Sequence, residues 1–409
     1  MQIKEIFVYN KVMKILIICQ YYYPENFVIS KIAAQLVSFG HEVDVLTGLP
    51  NYNYGEIIPA YRHIREETID GVSVHRVSLK ARKKSRLSII FNYLSFWNNS
   101  KQWIRKCKKQ YDIVYSMSLS PVTILAAGNL YKKKYHVPHV VHCVDLWPES
   151  VLVTRAVRKN SLFYRILYHW SKSLYSHVDE VLLGSPSFEN YFKEVLNLSD
   201  IEYKYIPQPS LIETSEAKEF TFDKDYLNVL YCGNLGTIQL IPLIPETMKE
   251  LKNEKIRFHV IGMGPMSDYL KKKIAEYHLE DILIYHGPMP ASMASSYIKG
   301  ADAIFVSLKD EGYVGKTIPN KLVMAMAFAK PIIAVLEGDG RTELSNAEGG
   351  IFASKQDSKS LALAIKSFKA LSENERKRLG NNNLAYYVNH FSLESVSHNI
   401  EAELIRKSR

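Results

Sequence analysis

The sequence is short of the features that mark several protein classes. Its four cysteines, Cys19, Cys107, Cys143 and Cys232, lie far apart and form no C-x-x-C pair. That excludes a disulfide scaffold and most structural zinc sites, and it suits a reducing cytosol. No run of 18 or more apolar residues occurs, so no transmembrane helix is expected. The apolar stretch 15–19 is too short for a secretory signal and lacks a cleavage pattern. There is no low-complexity tract and no short-period repeat. With 47% apolar and 23% charged residues, a disordered tail, a collagen-like fibre and a coiled coil are excluded. No G-x-G-x-x-G turn follows the first apolar run, where 19–24 read Cys-Gln-Tyr-Tyr-Tyr-Pro. A nicotinamide-type oxidoreductase therefore ranks last among the possible enzymes.

What is present is a repeated β-α-β rhythm. The 409 residues suit two domains of roughly 200 each. Strands are predicted over 14–19, 41–47, 72–77, 111–116, 139–144 and 180–185, with a helix over 29–39 ended by Gly40. The rhythm restarts after 210, with strands over 228–233, 256–262, 282–287, 303–307 and 331–335 and a helix over about 241–251. Near-continuous apolar strands between amphipathic helices indicate parallel sheets covered on both faces. The proline-containing stretch 205–211 is a plausible hinge. The expected class is α/β, with two doubly wound domains over 13–207 and 212–390 and a C-terminal helix over 391–409 that packs back toward the first domain. Residues 1–12 read as an extra leader, with Met13 as an alternative start. Ligands in such sheets sit beyond the carboxyl ends of the strands, so a cleft between the domains is the expected site.

The net charge of +10 is lopsided. Residues 1–210 hold 27 Lys and Arg against 17 Asp and Glu, whereas 211–409 hold 25 of each. A basic first half points to an anionic partner, either nucleic acid or an anionic membrane. No nucleic-acid motif accompanies the charge, so no nucleic acid is expected.

Several short motifs occur in order. The first half carries Tyr23-Pro24-Glu25, Gly40-His41-Glu42-Val43-Asp44-Val45-Leu46-Thr47-Gly48, Pro50-Asn51-Tyr52 and Asp145-Leu146-Trp147-Pro148-Glu149-Ser150. The second carries Gly233-Asn234-Leu235-Gly236, Gly262-Met263-Gly264-Pro265, Ala301-Asp302-Ala303, Pro319-Asn320-Lys321 and Ala329-Lys330-Pro331-Ile332-Ile333. Together these resemble the retaining GT-B glycosyltransferases of the family 4-like group, most closely the fucosamine-type transferases of O-antigen and capsule assembly. The resemblance implies two Rossmann-like domains facing across a cleft. It implies metal-independent transfer of a sugar, with retention, from a nucleotide diphosphate sugar to a polyprenyl-diphosphate-linked saccharide. A uridine diphosphate N-acetylated deoxyhexosamine is the donor it suggests. The implied location is the cytoplasmic face of the inner membrane, and no cofactor is implied. A catalytically silent GT-B scaffold in a polysaccharide assembly complex is the alternative.

Residue by residue, a departing nucleoside diphosphate needs preorganised donors. Gly233, Asn234 and Gly236 lie between a strand and a helix, where backbone amides can approach phosphate. Pro319 suggests a helix start, with Lys316, Asn320 and Lys321 near the diphosphate. Gly315-Lys316-Thr317 is not a P-loop, because Lys309 and Asp310 stand where the earlier glycine belongs. The resemblance places the nucleobase near Gly262 and near His286-Gly287-Pro288. Where most relatives carry two glutamates, this chain has Lys316 and Met324. Methionine is a poor hydrogen-bond acceptor for a ribose, and Glu311 is the candidate substitute. The Gly-Gly pair of many relatives is absent from 26–30, which read Asn-Phe-Val-Ile-Ser. Tyr23, Glu25 and Asn26 are candidate acceptor contacts beyond the first strand.

Asp145 is the leading catalytic candidate, positioned to orient sugar hydroxyls or assist proton transfer. Glu149 is second, and His142 shares a strand face with Val144, the residue before Asp145. No covalent nucleophile is assigned. Arg82, Lys83, Lys84 and Arg86 precede the apolar stretch 87–97, and further basic residues follow it. That pattern suits an anionic membrane surface. The helical spacing of Ile89, Ile90, Tyr93, Leu94 and Trp97 equally suits ordinary core. The oligomeric state is not legible.

Overall fold

The computed structural model describes residues 12–52, 54–83, 85–153, 158–159, 161–210 and 218–409. The leader, Lys84 and the end of the hinge fall outside these. The chain divides into two compact units, 1–209 with 393–409, and 210–392.

The first unit contains β1 (Lys14–Ile18), α1 (Val28–Ser38), β2 (Glu42–Gly48), β3 (Glu66–Ile69), β4 (Val72–Val77), α2 (Arg86–Lys106) and β5 (Ile113–Ser118). It continues through α3 (Leu125–Tyr135), β6 (His139–Cys143), α4 (Glu149–Val153), α5 (Leu162–Tyr175), β7 (Glu180–Leu183), α6 (Phe188–Asn190) and β8 (Glu202–Tyr205). Its eight strands run in the order β3-β4-β2-β1-β5-β6-β7-β8, all parallel except the β3–β4 pair. The strands β1, β5 and β6 are buried along nearly their whole length, as both-face covering requires. Helix α1 presents Val28, Ile29, Ile32, Ala33 and Leu36 inward at helical spacing.

The second unit contains β9 (Leu227–Cys232), α7 (Leu243–Glu250), β10 (Ile256–Ile261), α8 (Ser267–Tyr277), β11 (Leu283–Gly287), α9 (Ala291–Gly300) and β12 (Ala303–Ser307). Then come α10 (Asn320–Ala327), β13 (Ile332–Val335), α11 (Gly338–Ala347), β14 (Gly350–Phe352), α12 (Ser358–Ala370) and α13 (Glu373–His390). Its sheet is wholly parallel in the order β11-β10-β9-β12-β13-β14. Two apolar clusters, one on each face, hold Phe258, Phe305 and Ile365 on one side and Leu230, Ile304 and Leu322 on the other. Helix α13 opens with a reciprocal capping box between Ser372 and Glu375.

Helix α14 (Leu393–Lys407) belongs to the first unit. It buries Val396, Ile400 and Leu404, and Glu401 meets His41 at 3.0 Å. At its end, Arg406 holds Glu202 and Glu403 at 2.9 and 2.6 Å.

Both sheets are doubly wound, which confirms the α/β reading. Strands β3, β8 and β14 were not foreseen. The first two are edge strands with alternating exposure and charged residues, so they carry no apolar run. The third has only three residues.

In the second unit the turns after β9, β10 and β11 lock together largely by main chain, with Tyr285 Oη adding a bond to Gly262 O at 3.0 Å. Gly233 N donates to Ile261 O at 2.9 Å, Gly262 N to Gly287 O at 2.9 Å, and Leu235 N to Met263 O at 3.0 Å. Gly262 has φ +136°, and a Cβ there would fall 1.9 Å from Gly233 O. Gly262→Ala should therefore cost at least about 2 kcal/mol, since it combines backbone strain with a clash against rigid main chain. A denaturation midpoint equal to that of the unaltered chain would contradict this packing.

Candidate functional site

A doubly wound sheet opens a crevice where the strand order reverses. In the first unit this lies between β1 and β5, and in the second between β9 and β12. The loops leaving β1, β5 and β6 contain cis peptide bonds before Pro24, Pro121 and Pro148.

The loops beside β1 are bound by buried polar groups. Arg76, on β4, donates from Nη1 to Gly48 O at 3.3 Å, from Nη2 to Tyr23 O, and pairs with Glu67. Glu25 is 4% exposed, and its Oε1 accepts from Asn51 N at 2.7 Å and from Tyr52 N. Burial raises its carboxyl above the usual range, while these two amides oppose the shift. Asn51 Oδ1 accepts from Asn92 Nδ2 at 3.0 Å and from Arg82 N at 2.8 Å. Thus Glu25 holds the 50–52 loop and is not free to face an acceptor. Tyr23 and Asn26 are exposed beside it.

Next to this network lies a cavity of about 400 Å³, lined by Arg82, Arg86, Ile89, Ile90, Tyr93, Ser120, Asp145, Trp147, Ser150, Val151, Phe163 and Leu167. The strand end of β6 delivers Asp145 to it, and Asp145 N is turned back onto Ser118 O at 3.4 Å. Burial pushes the Asp145 carboxyl up to about 6 from 3.8, with no cation offsetting the shift. Trp147 Nε1 donates to Ser120 Oγ at 2.7 Å, which fixes one wall. The Arg82 guanidinium lies 4.6 Å from the centroid of the Tyr52 ring and 5.8 Å from that of Tyr93, and Nη1 donates to Tyr21 Oη at 3.1 Å. Such a position over ring faces is favourable for a partly desolvated cation.

Two catalytic candidates turn elsewhere. His142 is fully buried, with Nδ1 2.9 Å from Tyr115 Oη and Nε2 2.9 Å from Ile206 O. Burial lowers its pKa to about 4, so it is a neutral core histidine. Sharing a strand face with Val144 did not bring it to the cavity, because its two ring nitrogens are taken by Tyr115 on β5 and by the main chain after β8. Glu149 accepts from Tyr164 Oη at 2.6 Å and braces α5. The basic segment also differs from a uniform membrane face. Arg82 turns into the cavity, Arg86 reaches its rim, Lys83 is exposed, and Lys84 lies outside the described residues. Within α2, Phe96 and Ile104 are core, whereas Leu87, Ile90, Phe91 and Leu94 are exposed. No described helix is long and apolar enough to cross a membrane.

In the second unit, Gly233, Asn234, Gly236 and Gly262 come together in the interlocked turns. Lys321, in the first turn of α10, joins them. A Cβ on Gly233 would meet Lys321 Cε at 2.4 Å, and the Lys321 ammonium sits 5.1 Å from the Tyr231 ring centroid. Burial lowers the Lys321 pKa, and no acid is paired with it among the described residues. Asn320 and Lys316 are exposed. Lys316 lies against Gly338, beyond the end of β13, and Glu311 is exposed and pairs with Lys309 at 2.6 Å. Met324 packs against the apolar cluster under α10.

Sequence reasoning missed Gln239. Its Oε1 is buried without a hydrogen-bond donor among the described residues, and a Cβ on Gly236 would lie 2.2 Å from it. It also missed the inward turn of Arg82. The only signal was the tyrosine-rich setting of that arginine, with Tyr21, Tyr52 and Tyr93 scattered along the chain.

The chain matches the glycosyl transferase 4-like domain over residues 26–208 and the glycosyl transferases group 1 family over 213–385. It is 28% identical over 242 residues to the glycosyltransferase WbjE of Pseudomonas aeruginosa, covering 55% of this chain and 58% of that one. It is 29% identical over 135 residues to WcaL of Escherichia coli, named for colanic acid biosynthesis, covering 32% and 33% of the two chains. The match thus spans little more than half the length of WbjE and a third of that of WcaL. Among solved structures, sucrose-phosphate synthase from Thermosynechococcus elongatus superposes with a TM-score of 0.69 at 17% identity, covering 96% of this chain and 98% of the other. HepE from Anabaena, in complex with UDP, gives 0.65 at 14% identity, covering 96% and 99%. Half by half, the chain belongs to the glycosyl transferase 4-like and glycosyl transferases group 1 families, carried on a GT-B fold.

Proposed function

We propose that this protein is a glycosyltransferase of bacterial surface polysaccharide synthesis that takes its sugar from a nucleotide diphosphate donor bound on the second unit. The observation that carries this is Lys321. A lysine ammonium held partly out of water, above a glycine turn and with no acid paired to it, is costly unless an anion arrives. A nucleotide diphosphate supplies that anion, and the Lys321 side chain lies directly over the Gly233 turn. The UDP-bound state of HepE on the same fold, and the polysaccharide assignment of WcaL, support this reading.

The finer elements follow the family resemblance. Transfer proceeds with retention, the donor is a uridine diphosphate N-acetylated deoxyhexosamine, and the acceptor is a polyprenyl-diphosphate-linked saccharide. The protein works at the anionic cytoplasmic face of the inner membrane. Asp145 faces the acceptor hydroxyl in the first unit, orienting it as an ionised carboxylate above about pH 6. Gln239 Oε1 stands ready to accept from a donor hydroxyl, since an unsatisfied buried acceptor gains most from such a bond.

Lys321→Met should weaken uridine diphosphate binding roughly 10- to 100-fold in calorimetry, the worth of a charge-assisted bond. It should leave the melting temperature unchanged or raised. A variant that melts earlier and still binds the nucleotide normally would make Lys321 structural. Absence of binding by the unaltered chain to every nucleotide would favour a silent scaffold.

The carboxyl of Asp145 holds its proton more tightly in the folded chain, at about 6 against 3.8. Its stabilising contribution is therefore complete below about pH 4 and disappears as the pH rises through about 6. Asp145→Asn should abolish transfer while making the protein more stable than the unaltered chain above that pH, by about 1–3 kcal/mol. The gain should vanish near pH 4. Melting curves at several pH values check the sign, and retained turnover would remove Asp145 from the reaction.

A further inference from the structure

Hydrogen-bond accounting divides the polar groups that line the first-unit cavity. Trp147 Nε1 and Ser120 Oγ satisfy each other at 2.7 Å. Arg82 donates to Tyr21 Oη at 3.1 Å and lies over the Tyr52 and Tyr93 rings. Arg86 is exposed at the rim, where water serves it. Two groups remain. Burial alone acts on the Asp145 carboxyl, with no charge or hydrogen bond from a described residue offsetting it. The Ser150 hydroxyl is buried and has no hydrogen-bond partner among the described residues.

Ser150 is the more unusual of the two. A serine in a helix commonly turns its hydroxyl back onto the carbonyl one turn earlier. Here Ser150 N donates to Leu146 O at 2.7 Å, but Oγ does not share that acceptor. A buried hydroxyl with nothing to bond is unfavourable, and a ligand that supplies the partner removes that cost. Because Ser150 lines the cavity, the partner can enter from there.

The walls say what kind of partner fits. Ile90, Phe163 and Leu167 are apolar, and the Tyr93 and Trp147 rings stand edge to face with centroids 6.3 Å apart. A hydrocarbon would suit these walls and leave Ser150 unpaired. A small inorganic anion would meet the Asp145 carboxylate and gain nothing from the rings. A pyranose satisfies both sets of groups. Its C–H faces pack on aromatic rings, and each of its hydroxyls can both donate and accept. At about 400 Å³ the cavity is of the size that holds small molecules.

We propose that Ser150 is a specificity-determining residue, whose hydroxyl binds a non-reacting ring hydroxyl of a pyranose seated on Tyr93 and Trp147 while Asp145 faces the reacting one. This rests on the glycosyltransferase reading for what the sugar is there to do, and it adds which side chain reads the sugar. A site built to hydrogen-bond a hydroxyl rejects an analogue that lacks it far more strongly than an apolar pocket rejects a small change of shape. The cavity therefore selects a hydroxylated ring over its deoxy counterpart at the position Ser150 meets.

Methyl β-glucopyranoside, methyl β-galactopyranoside and methyl N-acetyl-β-glucosaminide are the probes, each with its monodeoxy analogues. Titrated into the full chain and followed by tryptophan fluorescence, to which Trp147 contributes, at least one parent glycoside should saturate at one per chain. Removing one particular hydroxyl from it should weaken binding tenfold or more. In Ser150→Ala the parent should bind tenfold more weakly, and that deoxy analogue should match the parent within about twofold, as expected when both partners of one bond are gone. Ser150→Ala should melt at the same temperature or higher, since it removes an unpaired buried hydroxyl. A serine of purely structural use would lower the melting temperature and leave the preference among analogues unchanged, and that result overturns the proposal. So does the failure of all three parents to bind, or a Ser150→Ala variant that still rejects the deoxy analogue tenfold. Uridine diphosphate titrated into the same samples separates the two readings, because its silence beside glycoside binding would remove the transferase assignment and leave the sugar site intact.

Discussion

A parallel sheet delivers every strand end to one edge, and everything this protein offers to a ligand depends on that constraint. In each unit the chain starts at the middle of the sheet and winds outward in both directions. The reversal opens a crevice between the loops after β1 and β5 in one unit, and after β9 and β12 in the other. In the first unit that gap receives Asp145, Arg82 and a cluster of tyrosines. In the second it receives the glycine turns and Lys321. Neither set needs residues close in sequence, because the sheet assembles them.

The two sites share a second property. Each keeps one ionisable group partly away from water with no ion pair to it among the described residues, the Asp145 carboxyl and the Lys321 ammonium. Such groups weaken the empty protein. Other charges are satisfied by neighbours, as with Arg76 on Glu67 and on two main-chain carbonyls, or Glu25 on two amides. The contrast separates groups that shape the loops from those to which the proposed function gives a partner. It also explains why Glu25 and Asp145, both acids at strand ends, take different parts.

Much of the architecture was readable from apolar runs, since fully covered strands such as β1 and β6 have no polar face to confuse the pattern. The half-exposed edges β3 and β8 were not, because their burial alternates and their residues are charged. The motif residues Gly233, Gly262, Lys321 and Asp145 were legible because glycine turns and strand-end acids have local signatures. His142 misled, because strand alternation names a face without saying what covers it. Arg82 misled for the reason that a basic run looks uniformly solvated in sequence. Only the fold reveals that the side chain between Ala81 and Lys83 turns inward onto tyrosine rings contributed from positions 52 and 93.

The interlocked turns after β9, β10 and β11 are made by backbone groups, with glycines touching glycines and Met263 left exposed at the crest. A platform built this way leans on few side chains, chiefly the hydroxyls of Tyr231 and Tyr285. Under the proposed function, substitutions at the crest would remodel what a donor's sugar meets while the turns beneath stay as they are. The scaffold can thus drift from one substrate to another by neutral steps, and its glycines are the few positions at which such drift is forbidden.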